Sequence, residues 1–226
     1  MIININENLS EQLKHRRTTA AVVADVLRTS ILKGQLKAGE QLIQADIAKQ
    51  FGMSRIPVRE ALKQLEAEGL VKQYPNKGAI ISELSASEVQ EIYEIRSFLE
   101  IGAIRLSIIN LNEEDLKRAE KILMEIDSAP DANKWLELNW EFHSCLYLPA
   151  NRPRLLSIIN NLHVNVARYI RIYLDLMNFE KKSQQEHYNI FNACKERNTE
   201  KAVEFIKQHL ENASATLVSY LNKRNE

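Results

Sequence analysis

The sequence predicts a mainly α-helical chain in two parts. A small first domain holds a helix-turn-helix and a short β-hairpin, and an all-α helical bundle follows. Three observations carry this. Apolar residues recur at spacings of three and four along most of the 226 residues, the pattern of amphipathic helices. Around residue 50 a short helical segment, a glycine and a second helical segment follow in close order. Then come two β-prone runs, Leu70 to Tyr74 and Ala79 to Ser82, joined by the turn residues of "PNKG".

Residues 1–17 are polar and read as a loose arm. The first helical segment, amphipathic, carries Ala21, Val22, Ala24, Asp25, Val26, Leu27, Ile31 and Leu32. It ends in "KGQLKAGEQL", where Gly34 and Gly39 punctuate a turn. A short helix over Gln44 to Phe51 turns Ile47, Ala48 and Phe51 inward. Gly52 closes it, because a left-handed cap favours glycine. Two residues on, "SRIPVREALKQLEAEGLV" opens the second helix of the motif, with Val58, Ala61, Leu62 and Leu65 on its inner face. Pro57 is tolerated in a first turn, where backbone N–H groups lack partners anyway, and Ser54 is the natural N-cap. Pro57 has no N–H, so the Ser54 hydroxyl is expected to bond the Ile56 N–H. Beyond the hairpin, helical patterns run over roughly 86–109, 113–128, 131–148, 152–178, 182–197 and 199–222. The boundary falls near Leu84 to Ser87, giving domains 1–84 and 85–226.

Charge narrows the function classes only mildly. The chain is neutral overall, but residues 1–84 carry 12 Lys/Arg against 9 Asp/Glu, and residues 85–226 carry 18 against 21. That asymmetry permits nucleic-acid binding by the first part. No apolar run is long enough to span a membrane, and "MIININENLSEQ" lacks the pattern of a signal peptide. Cys145 and Cys194 form no paired motif and read as reduced thiols of a cytoplasmic protein.

The start of the second helix is anomalous. Arg55 and Arg59 share a face, oppose the helix dipole and repel each other. That is a poor arrangement for stability alone, and an external anion relieves it. A helix N-terminus in the DNA major groove brings its first side chains to base edges, where Arg bonds guanine bidentately. Lys77 at the hairpin tip is placed for phosphate or the minor groove. The rival reading is a helical binding or scaffolding protein whose first domain docks protein. Salt separates the two, since phosphate neutralisation makes affinity fall steeply with salt.

The run from "AGEQLIQADIAKQFGMSRIPVREALKQLEAEGLV" through "KQYPNKGAII" resembles the winged helix-turn-helix of GntR-type bacterial transcription regulators. The segments "EIYEIRSFLEIGAIRLS", "LNWEFHSCLYLPANRPRLL" and "EHYNIFNACKERNTEKA" resemble the helical FCD effector domain of the FadR subfamily. The resemblance implies a homodimer on a pseudo-palindromic DNA operator, retuned by a small metabolite. It maps DNA-reading roles onto Ser54, Arg55, Ile56, Pro57 and Arg59, and onto Asn76, Lys77 and Gly78 of the wing. Members often carry Arg where this chain has Ala45, so no contact is assigned there.

Three of five histidines, His143, His187 and His209, fall on the inward stripes of separate helices. Converging imidazoles make a site for Zn²⁺ or a similar divalent ion. Asn139 lies one turn before His143 on the same face, whereas Cys145 points away. FCD domains of the metal-binding kind place Asp, His, His and His at these four positions. Asn139 therefore offers an oxygen without the charge. Arg96 stands among core positions, on a stripe of Val89, Ile92, Leu99, Ala103 and Leu106. From the residues alone it is an ion-pair partner, for instance of Glu100, a snorkelling side chain or a carboxylate clamp. The resemblance favours the clamp, with a small organic acid as effector. An enzyme is not expected: there is no HExxH helix, no Glu-x-x-His pair and no Gly-rich phosphate loop.

Overall fold

A computed structural model describes residues 18–224 other than Asn76 and Asn178, with backbone alone for 168, 171–177, 179, 180 and 224. The arm expected over residues 1–17 lies outside the described residues, as does Asn76 of the wing. The chain divides into two compact units that part between Glu83 and Leu84.

In the first unit, α1 (Thr19–Leu32) is capped by Thr18, whose hydroxyl accepts the Ala21 N–H at 3.2 Å. It buries Val22, Val23, Leu27 and Ile31. Arg28 on α1 grips both oxygens of Glu68, the residue that ends α3, at 2.7 and 2.6 Å. Next come β1 (Gln41–Leu42), α2 (Gln44–Gln50), α3 (Arg55–Ala67), β2 (Val71–Tyr74) and β3 (Gly78–Ile81). The strands form an antiparallel sheet in the order β1-β3-β2, with Gln41 opposite Ile80 and Val71 opposite Ile81. Leu42, Val71, Ala79 and Ile81 line its buried face. The hairpin agrees with expectation, but β1 is an addition. A two-residue strand has no alternation to read, and it forms because β3 offers it an unpaired edge.

The second unit is helical: α4 (Ala86–Ser107), α5 (Glu113–Asp127), α6 (Ala132–Tyr147), a 3₁₀ turn (Leu148–Ala150), α7 (Pro153–Met177), α8 (Phe179–Lys195) and α9 (Thr199–Arg224). Among the described residues no strand follows Ile81, and no helix is long and apolar enough to cross a membrane. Capping boxes start α4, through Ser85 and Glu88, and α5, through Asn112 and Asp115. Helix α9 lies along α4 and α5 along α6, around a core that includes Ile104, Leu123, Phe142, Leu146, Ile190 and Ile206. The α4 stripe needs correction. Its buried row is Val89, Tyr93, Arg96, Glu100, Ala103, Ile104 and Ser107, and Leu106 is exposed. The expected and observed rows share Val89, Arg96 and Ala103 and diverge by one residue between them. Ser107 follows the inward row because its hydroxyl donates to the Leu146 carbonyl at 2.7 Å.

Candidate functional site

The helix-turn-helix is built by α2 and α3. Ile47, Ala48 and Phe51 are buried on α2, and Val58, Ala61, Leu62 and Leu65 are buried on α3. Gly52 sits at φ +64° and permits the reversal between them, while Met53 N–H returns to the Ala48 carbonyl at 3.0 Å. Ser54 holds the extended N-cap conformation, but its side chain makes no cap bond. The donor such a hydroxyl commonly takes, at the third helical position, is the one Pro57 lacks.

Ser54, Arg55, Ile56 and Arg59 are exposed along the first turn of α3, and Pro57 is half-buried. No carboxylate lies in that turn. Among the described residues neither guanidinium has a hydrogen bond or an ion pair. Ile56 is 58% exposed, an apolar side chain left in water between two cations. At the hairpin tip Gly78 takes φ +72°, Lys77 is exposed, and the Gln41 side chain donates to the Lys77 carbonyl. A long cation is thereby held at the turn.

In the second unit His143 of α6, His187 of α8 and His209 of α9 converge. One ligand atom from each lies within 4.8 Å of the others, and all three residues are buried. Each ring is anchored by its Nδ1. His209 Nδ1 meets Glu186 Oε2 at 2.8 Å, and Glu186 also accepts from Asn212 at 2.7 Å. His187 Nδ1 donates to Gln184 Oε1 at 3.1 Å. His143 Nδ1 lies 3.4 Å from the Tyr147 hydroxyl. Such anchoring of one ring nitrogen is how proteins aim the other at a metal. Burial, and then the neighbouring histidines, push His143 and His187 well below the usual imidazole range. Both are neutral at pH 7 with a lone pair to offer.

The donor set fits a divalent ion. Asn139 Oδ1 and His143 Nε2 are buried and have no partner among the described residues, and Asn139 lines the same cavity as His209. Imidazole nitrogens and an amide oxygen suit zinc or a related ion. The cavity there is about 20 Å³, room for an ion or one water. Cys145 stays apart, its Sγ on the Asp115 carbonyl at 3.6 Å. Glu141 lies at the surface with Arg118 at 3.4 Å, so no carboxylate base stands beside the cluster on α6.

Arg96 is buried and lines this cavity. Its Nε donates to Glu100 at 2.7 Å, and the other oxygen of Glu100 accepts from Tyr147 at 2.7 Å. The ion pair considered from the sequence is thus present. Burial pulls the guanidinium down, and Glu100 together with Tyr93 and Tyr147 outweighs it, so its pKa is raised. A continuous run leads from Arg96 through Glu100 and Tyr147 to His143.

Two known sequence families cover these two sites. The family of bacterial regulatory proteins called gntR matches residues 19–81, and the FCD domain matches residues 91–212. The chain belongs to the GntR family. This GntR protein is 32% identical to the HTH-type transcriptional regulator YdhC of Bacillus subtilis (strain 168), over 88% of this chain and 91% of that one. It is 30% identical to the gluconate operon transcriptional repressor of Bacillus licheniformis, over 71% and 67%. The solved structure of E. coli McbR/YncC shares its fold with a TM-score of 0.79, at 24% identity over 90% of this chain and 99% of that one. The protein is a DNA-binding transcription regulator with an FCD domain, not an enzyme.

Sequence reasoning about this GntR regulator missed the groups that serve the histidines. Glu186 acts across to α9 and Glu100 reaches Tyr147 from another helix, and spacing within one helix gives no sign of either, although Tyr147 itself stands one turn beyond His143 on α6. His163 of α7 was also missed. Its row, Ile159, His163 and Val166, is buried at helical spacing and was legible.

Proposed function

We propose that this GntR regulator is a metabolite-controlled repressor that binds a pseudo-palindromic operator as a homodimer. The observation that carries the reading is the exposed, unpartnered pair Arg55 and Arg59 on the first turn of α3. In this reading α3 enters the major groove, Arg55 and Arg59 meet base edges or phosphate, and Ile56 meets a thymine methyl. Ser54 and Pro57 fix the entry turn. Asn76, Lys77 and Gly78 of the wing follow the adjoining backbone. Half-sites stand roughly 10 bp apart, centre to centre, if the two reading heads are one turn apart. Repression is supported by the gluconate operon repressor among the relatives. Acting on DNA, the protein works in the cytoplasm.

A second copy is supported by α4 and the turn that follows it. Ile95, Phe98, Leu106 and Ile109 are exposed at helical spacing, Phe98 at 80%, beside a groove of about 480 Å³ lined by Phe98, Leu210 and Val218. Apolar area of that kind marks an interaction surface.

The FCD domain is the sensor. Asn139, His143, His187 and His209 hold a divalent ion such as Zn²⁺, and Arg96 meets a small organic acid. Such an ion supplies positive charge that draws a carboxylate into the site. Because Asn139 is neutral, the acid rather than the protein brings the negative charge. The acid shifts the regulator between dimer arrangements by binding them unequally.

The test uses an operator selected from genomic fragments, with anisotropy measured across a salt series. Arg59→Ala is expected to weaken binding by about 1–3 kcal/mol, roughly 5- to 150-fold, and to flatten the salt dependence. An unchanged affinity and slope would remove Arg59 from the DNA-reading set.

A further inference from the structure

The three converging rings are each held at Nδ1, but their anchors differ in what they can offer. Glu186, on His209, is a carboxylate and only accepts. Tyr147, beside His143, has its proton committed to Glu100. Gln184, on His187, is an amide. Turned one way it presents an acceptor to the ring, and turned the other way a donor. The tautomer of the ring follows that choice. An acceptor keeps the proton on Nδ1 and the lone pair on Nε2, and a donor does the reverse.

The choice is settled from α5. Gln184 Nε2 donates to the Leu123 carbonyl at 2.9 Å and to Asp127 Oδ1 at 3.0 Å. Both amide N–H groups are thereby taken, and Oε1 is left to His187 Nδ1 at 3.1 Å. The reverse placement would press the amide oxygen against a carbonyl and a carboxylate. Gln184 is buried, so that mismatch would go unrelieved. Asp127 is exposed at the end of α5, and the Tyr188 hydroxyl fixes its Oδ2 at 2.6 Å. Ser183 takes no side in the choice. Its hydroxyl stands 3.5 Å from His187 Nε2 and satisfies either tautomer.

We infer that Asp127, at the surface, sets which nitrogen of the buried His187 carries the proton, acting through the amide of Gln184, and so readies Nε2 for a metal ion. The inference rests on the reading above in which His187 holds such an ion. Asp127 is a positioning residue, two hydrogen bonds removed from the ring. An ion binds a bare ring nitrogen, so a ring with its proton on Nε2 must first move that proton. The Leu123 carbonyl pulls the amide the same way, but it is helix backbone. Asp127 is the part that a side-chain change can reverse.

The experiment is NMR of the full-length, zinc-free protein carrying ¹⁵N-labelled histidine near neutral pH, followed by zinc affinity from chelator competition. The His187 signals are identified by their loss in His187→Gln. Wild type is expected to show His187 protonated at Nδ1. Asp127→Asn keeps an acceptor and is expected to keep both tautomer and zinc affinity. Asp127→Lys offers the amide a donor instead. It is expected to move the His187 proton to Nε2 and to weaken zinc about tenfold, with the melting temperature held. Adding Gln184→Glu to that variant is expected to restore both, because a carboxylate can only accept from Nδ1. Wild type protonated at Nε2, or an unchanged tautomer in Asp127→Lys, overturns the inference. So does a switched tautomer with unchanged zinc affinity. A tautomer that switches as expected in a protein whose wild type takes up no zinc overturns the metal reading and upholds the control of His187 by Asp127. Should Asp127→Lys fail to fold, Asp127→Ala takes its place, and a tautomer ratio equal to wild type overturns the inference.

Discussion

Arg55 and Arg96 are the same side chain placed under opposite rules. Arg55, with Arg59, stands in water at a helix start where the dipole and a like charge oppose it, and has no partner among the described residues. Arg96 is buried, with Glu100 at 2.7 Å and Tyr147 closing the other carboxylate oxygen. A cation withdrawn from water needs a partner or the fold fails. A cation left in water without one is free for something outside the molecule. The partner therefore separates an arginine that the fold itself holds, as Arg96 is held even where it meets an effector, from one left wholly to an outside ligand, and the first unit repeats the lesson. Arg28, with both oxygens of Glu68, holds α1 to the end of α3 and has nothing left to offer DNA.

The comparison breaks most readily at Glu100. Glu100→Ala leaves Arg96 charged and unpaired in the interior and is expected to cost about 3–5 kcal/mol of stability, read by urea denaturation. Glu100→Gln keeps the volume and is expected to cost less. A Glu100→Ala loss below about 1 kcal/mol would mean that water or another group already solvates Arg96, and the contrast with Arg55 would dissolve.

Tyr147 sharpens the same contrast from the metal side. Its hydroxyl donates to Glu100, so its oxygen is turned to accept His143 Nδ1–H, which keeps Nε2 as the free lone pair. Tyr147→Phe removes this orientation without removing a ligand. Affinity for Zn²⁺, measured by chelator competition, is expected to fall about 10- to 100-fold while zinc stoichiometry at saturation is kept. An unaltered affinity would show that packing alone orients His143.

Much of this is legible in the sequence alone. The hinge at Gly52, the inner face of α3 and the two exposed arginines follow from spacing and backbone chemistry. So do the inward positions of His143, His187 and His209, because a repeat of three and four residues fixes depth within a helix. It does not fix what stands opposite. Glu186 serves His209 from another helix, and Tyr147 connects to Glu100 across 47 residues. Strand β1 was too short to carry a period. The α4 row slipped by one because Tyr93 and Glu100, polar at their tips, are the side chains turned inward, while Leu106 faces out. Burial of such residues depends on hydroxyl and carboxylate partners that a hydropathy pattern cannot register.

Acid tests the interior as a whole. His163 is pushed down to about 3 in the folded chain from the ordinary value near 6.5. Its neutral form is native, so its contribution is present above pH 6.5 and is lost as pH falls from 6.5 towards 3. There the unfolded chain takes up a proton the folded one refuses. One unit below 6.5 the loss is about 1.4 kcal/mol. His143 and His187 act in the same direction. With chelator present, His163→Phe is expected to lose about 1.4 kcal/mol less than wild type between pH 7.5 and 5.5. Identical losses would mean that His163 is protonated or solvated in the folded chain.

The smallest effect carries the sign that matters for the exposed pair. If Arg59 has no internal partner, Arg59→Ala removes a cation from the positive end of α3 and from beside Arg55. The free protein should then become more stable, by about 0.3–0.5 kcal/mol at low salt, with the gain shrinking as salt screens both terms. Alanine is also the better helix former, so a gain that persists in high salt reports propensity and not charge. A loss of more than about 1 kcal/mol in the DNA-free protein would be outside the range of an unpartnered surface side chain. It would place Arg59 with Arg28 among the structural arginines and leave Arg55 alone on the reading turn.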